Sequence, residues 1–173
     1  MPRAKVVYVD VPGVPKGSWR LTGWIVLESR RGREIPNAQQ YVASPFEKNT
    51  WAALKAQYSP PGFQCRTELN PVYNCHGLTF ASRRTWIDDS SMIRNIIEDD
   101  CYELIKENDA LPGDVVIYVA DDGDVEHSGV VVRAKHALEL PLVCSKWGKG
   151  GEVVHPVHKS PYSKTYEYYR VTT

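Results

Sequence analysis

The sequence predicts an α+β fold, helices first and an antiparallel meander after them, and three observations predict it. Phe46, Trp51, Leu54 and Tyr58 recur close to helical spacing over residues 45–58. Leu78, Ala81, Ser82, Thr85 and Trp86 do the same behind Cys75. From residue 115 onward, β-branched and aromatic runs alternate with short polar turns.

The elements follow in order. Residues 4–9 read as a first strand, broken by Gly13, Pro15 and Gly17, and residues 24–27 as a short second one. Arg30-Arg31-Gly32-Arg33-Glu34 reads as a solvated turn, the alternative being a phosphate or nucleic-acid patch. Ser59-Pro60-Pro61-Gly62 stops the first helix. Asn70-Pro71-Val72-Tyr73-Asn74 is a turn that delivers Cys75 to the start of a helix, with Asn74 as its N-cap. Asp88-Asp89-Ser90-Ser91 ends that helix and caps another, whose buried stripe is Ile93, Ile96 and Ile97. Residues 101–106 are extended. Leu111-Pro112-Gly113-Asp114 is a tight turn into a central strand at 115–120. Asp121-Asp122-Gly123-Asp124 is a hairpin loop, with a strand at 127–132 that has His127 at its mouth. Further strands are expected at 142–147 and 166–171.

Composition narrows the function. The chain has 173 residues, enough for one domain with a sizeable core. Lys+Arg and Asp+Glu are both 21, so the net charge is zero, which argues against a general nucleic-acid or anionic-membrane binder. No apolar run approaches the roughly 18–20 residues of a membrane span. The opening residues lack a secretory apolar segment, so a cytoplasmic protein is expected. Cys65, Cys75, Cys101 and Cys144 are too sparse for a disulfide scaffold, and none pairs at C-x₂₋₄-C spacing. Cys65 and Cys144 read as core residues. Cys101 follows Asp99 and Asp100, whose charge opposes a thiolate.

Cys75 is the candidate nucleophile. A cysteine at a helix N-terminus meets the positive end of the helix dipole and free N–H groups, which favour the thiolate and can hold an oxyanion. Such a thiol needs a base, and His127 is the candidate. The alternative is a buried small cysteine and a surface hairpin histidine.

Three blocks carry a resemblance. Asn74-Cys75-His76-Gly77-Leu78-Thr79-Phe80 resembles the nucleophile segment of the NlpC-type cysteine peptidases and the related CHAP amidases. Pro112-Gly113-Asp114-Val115-Val116-Ile117-Tyr118 resembles their Gly-Asp-apolar-aromatic strand, and His127-Ser128-Gly129-Val130-Val131 the strand that bears their base. The blocks stand in the family's order and cover roughly residues 70–147. The resemblance implies a papain-like fold, with a Cys-bearing helix on an antiparallel sheet, over residues 63–173. Residues 1–62 are then an N-terminal extension or subdomain packed on that core. It also implies a hydrolase that cleaves an amide, in peptidoglycan peptides or a related substrate, through an acyl-enzyme. A non-catalytic binding module on the same fold and an acyltransferase are the alternatives.

The chain departs from the family in two places. His76 stands where a small serine is usual; it reads as a partly exposed helix residue pointing away from Cys75. The family places a polar residue on the strand after the base to orient the imidazole, and here that strand offers Ser145, ahead of His155 from the loop beyond. Lys146 reads as an exposed or snorkelling lysine. Tyr73 is a candidate oxyanion donor and Trp147 a candidate substrate wall. His155 and His158 lack the company of a metal site, and Asp121, Asp122 and Asp124 lack the spacing of a calcium loop. No metal and no cofactor is expected. The partner is a peptide or amide substrate, with neither nucleic acid nor membrane expected; the sequence does not speak to oligomeric state.

Overall fold

The computed structural model describes residues 7–8, 21–58, 62–136 and 139–172. Three short strands, β1 (Val7–Tyr8), β2 (Leu21–Gly23) and β3 (Gln39–Gln40), form a small antiparallel sheet. The expected first strand survives as β1, its other residues lying outside the described ones. The second comes just before its expected place. The breakers Gly13, Pro15 and Gly17 also lie outside the described residues.

Helix α1 (Pro45–Gln57) begins where its capping chemistry dictates. Ser44 Oγ accepts from the Glu47 N–H at 3.3 Å, and the Glu47 carboxylate accepts from the Ser44 N–H at 2.6 Å. Pro45 sits in the first turn, where its missing N–H costs nothing.

After β4 (Gln64–Cys65), helix α2 spans only Cys75–Phe80. The apolar spacing through Trp86 predicts a longer helix. Instead Ser82 and Arg83 take left-handed backbone, and the Ala81 and Arg83 N–H groups both close on the Gly77 carbonyl. The chain turns back so tightly that a Cβ on Gly77 would lie 1.7 Å from the Thr85 carbonyl oxygen. Gly77→Ala should therefore cost about 3 kcal/mol or more, read as a lower urea midpoint. A midpoint equal to that of the parent protein would contradict this packing.

Helix α3 (Ser91–Asp99) buries Ile93, Ile96 and Ile97, as its stripe predicts. The basic turn expected to be solvated docks on the end of α3: Arg33 pairs with the fully buried Asp99 at 2.7 Å, and Ser29 Oγ donates to the same carboxylate. Burial of a carboxylate is tolerated when it is paired and hydrogen-bonded, and these contacts hold Asp99 below the ordinary carboxylate range.

The main sheet comprises β4, β5 (Tyr102–Ile105), β6 (Val115–Val119), β7 (Val125–Arg133), β8 (Leu142–Lys146), β9 (Glu152–Pro156) and β10 (Thr165–Val171). Its order is β4-β9-β8-β7-β6-β10-β5, all antiparallel, with the β6–β7 hairpin at its centre. The α+β class and the meander are thus present. β9 was expected as loop; Gly148–Gly151 folds back instead and lets residues 152–156 pair along β8. One sheet face packs on α2 and α3 through Ile117, Val115, Ile93 and Leu78. The other closes over Val116, Tyr118, Val131, Val143 and Val157. Among the described residues no helix is long and apolar enough to cross a membrane.

Candidate active site

Asn74 caps α2 with its side-chain oxygen, accepting from the Gly77 N–H at 2.9 Å, and its amide donates to the Ile87 carbonyl. That anchorage fixes Cys75 as the first helical residue, as expected. Cys75 is 7% exposed and packs between the helix and β7 and β8. The backbone N–H groups of Ser128, His76 and Cys75 itself favour the thiolate. The Ser128 N–H belongs to the peptide that joins His127 to Ser128. Burial nevertheless dominates and pushes the thiol up to about 11, with these N–H groups and the Lys146 charge pulling the other way.

His127 is wholly buried, and neither ring nitrogen has a hydrogen-bond partner. No hydrogen bond joins it to Cys75. The reason is strand alternation: Ser128 pairs with Ile117 and faces α2, so His127 points to the other sheet face. There its ring stacks on Tyr162, centroids 3.8 Å apart, and lies 5.4 Å from Tyr118. Burial pushes the Tyr162 phenol well above its ordinary value, and a Cys75 thiolate would push it the same way. Burial, reinforced by the charges of His76 and His155, holds His127 well below the usual histidine range. The resting pair is a neutral thiol and a neutral imidazole, not a thiolate–imidazolium pair.

The expected orienting contact, Ser145 to His127, is replaced by another. Gly129 pairs with Ser145, and running that register two residues back puts Trp147, not Ser145, opposite His127. Trp147 Nε1 donates to Ser145 Oγ at 3.1 Å, and Ser145 Oγ lies 2.8 Å from His155 Nε2. His155 Nδ1 lies 2.9 Å from the Pro156 carbonyl, which only accepts, so Nδ1 carries the proton and the serine donates to Nε2. Ser145 and His155 thus satisfy each other.

Tyr73 is likewise committed elsewhere. Its hydroxyl donates to Glu152 Oε1 at 2.6 Å, beside Arg83 Nε on the same oxygen. It is a strut of a buried carboxylate, not an oxyanion donor in this arrangement. Trp147 is buried against Trp51 and Val153, and it lines a cavity.

Two readings of single residues are corrected. His76 is buried, not partly exposed: Nδ1 lies 2.9 Å from Ser128 Oγ, which the strand turns toward α2. Lys146 is 0% exposed. Its ammonium donates to the Gly148 and Gly150 carbonyls and rides 4.9 Å above the Tyr73 ring. Burial lowers it to about 8, against the opposing pull of Cys75 and Glu152. Lys146 and Tyr162 are the site residues that sequence reasoning missed. The one available signal for Lys146 was its place inside a strand apolar on both faces. For Tyr162, in Ser160-Pro161-Tyr162-Ser163, there was none.

Among the described residues no cluster of three or more His, Cys, Asp or Glu could hold a metal ion. A scan against protein-family models and searches of curated proteins and of solved structures returned no match to this chain.

Proposed function

We propose that the protein is a thiol hydrolase of amide or ester bonds, seen in a closed state, with Cys75 as nucleophile and His127 as base. The observation that carries this reading is the juxtaposition at the 127–128 peptide. On one side the backbone N–H groups of Ser128, His76 and Cys75 favour the Cys75 thiolate; on the other a buried imidazole leaves both nitrogens unbonded. An unbonded buried polar group costs about 1–3 kcal/mol, a cost that function can explain.

The chemistry follows from the resting protonation. The thiol keeps its proton until attack, and in this reading His127 accepts it as the sulfur–carbon bond forms, which requires the imidazole to turn from the sheet face it occupies at rest. The N–H groups that favour the thiolate hold the charge that develops. The leaving group departs with the proton from His127, and water then releases the acyl group. Tyr162 must leave the His127 face for this to occur. The papain-like fold and the likeness to the NlpC-type peptidases belong to this proposal and support an amide as the natural substrate.

A second reading, a non-catalytic module on the same fold, is favoured by the closure of the site. One experiment separates them. Incubation with p-nitrophenyl acetate should place an acetyl group on Cys75, seen by peptide mass spectrometry, and Cys75→Ala should abolish nitrophenol release beyond background. Acetylation of the exposed Cys65 and Cys101 with Cys75 unmodified would decide for the non-catalytic module.

A further inference from the structure

On the Tyr162 side of His127 lies a cavity of about 750 Å³. Its walls are Trp51 and Leu54 of α1, Trp147 and Gly150 of the β8–β9 turn, and Pro161 and Tyr162. The size suits a ligand group. It meets the site through shared walls. Tyr162 turns one face to His127 and also lines the cavity, and Gly148 and Gly150, which line it too, accept from Lys146 through their carbonyls. The only charges on its lining are Glu47 and Lys149, which pair with each other at 2.6 Å, Lys149 lying also 5.3 Å over the Trp86 ring. The wall therefore offers no free charge to a charged ligand.

We propose that this cavity is the acyl-group pocket of the enzyme, selecting substrates whose acyl side carries a large uncharged apolar group. The inference rests on the thiol-hydrolase reading and names its substrate class. Rotation of the Tyr162 ring joins the cavity to the sulfur. The acyl chain then occupies the space between the indoles of Trp51 and Trp147 while its carbonyl meets Cys75. In the step itself the Cys75 sulfur bonds to the acyl carbon, the carbon–oxygen bond to the leaving group breaks, and the thiol proton passes to His127.

The test compares p-nitrophenyl acetate, hexanoate and phenylacetate, following acyl-Cys75 by mass and nitrophenol by absorbance. One added methylene in an apolar pocket is worth about tenfold or more, so at least one of the two apolar esters should acylate Cys75 about a hundredfold faster than acetate. Which is faster tells chain from ring. Thr50 lines the cavity from an exposed position on α1, so Thr50→Trp fills the space without disturbing the core, and should bring the apolar esters down toward the acetate rate. Equal rates for all three esters, or a preference unchanged by Thr50→Trp, would overturn the pocket and leave the nucleophile standing. Ligand-detected NMR of phenylacetamide with the Cys75→Ala protein reads the pocket alone. Saturable binding lost in Thr50→Trp, in a protein whose Cys75 no ester acylates, would keep the pocket and sink the hydrolase.

Discussion

Replacing His127 by alanine should slow acylation of Cys75 by between about a hundredfold and ten thousandfold, the range for loss of a general base. The resting protonation makes the residue indispensable. A thiol pushed up to about 11 carries little thiolate at neutral pH, so reaction depends on a base that removes the proton during attack. The variant breaks no hydrogen bond but empties a buried position under Tyr162, so its stability should fall and rates are compared per folded protein. The control is Lys146→Met. The Lys146 charge pulls the Cys75 thiol down, and its ammonium donates to the Gly148 and Gly150 carbonyls. A nearby opposite charge typically moves a pKa by one or more, so that variant should lose about tenfold and shift the pH–rate profile to higher pH. Lys146→Arg should recover part of the loss. A His127→Ala protein with near-normal rates, against a Lys146→Met protein that is dead, would make the lysine the base and end the Cys75–His127 pairing.

The parts of the fold that were legible were those with local causes. Asn74 before Cys75, Ser44 before Pro45 and the Ile93–Ile96–Ile97 stripe each encode a helix start or a buried face within a few residues. Long-range causes were not legible. The length of α2 is set by the Thr85 carbonyl returning onto Gly77, and β9 exists because the Gly148–Gly151 turn brings residues 152–156 along β8. The site divides in the same way. Cys75 at a helix start was readable from Asn74 alone. The placing of His127 depends on which sheet face α2 covers, and period-two alternation gives that face to Ser128. The bond between Ser145 and His155 depends on register across two hairpins, which no spacing records.

Lowering the pH from 7 to 5 should remove roughly 5 kcal/mol of stability, because three buried histidines would have to charge. Burial, the largest cause for each, holds His76 and His155 near 4 and His127 well below 6.5. Their surroundings alter this little. Asp124 raises His76, the Pro156 carbonyl raises His155 while Lys164 and His158 lower it, and His127 is lowered further by the other two. In the unfolded chain each titrates near 6.5. These folded-state pKa values are depressed, so unfolding takes up protons: the stability is present above pH 6.5 and lost as pH falls toward 4. Glu152 and Asp114, held low by Arg83 with Tyr73 and by Arg170 although burial opposes it, lose their contribution in the same direction below about 4.5. Natural domains hold only about 5–15 kcal/mol, so the protein should stand near its unfolding limit at pH 5. Urea midpoints at pH 7 and pH 5 measure the loss. His155→Gln keeps an amide beside Ser145 but cannot titrate, and should flatten the slope by about a third. A midpoint that holds steady from pH 7 to pH 5 would mean that the histidines take up protons in place, and that water reaches the His127 pocket without Tyr162 having to move.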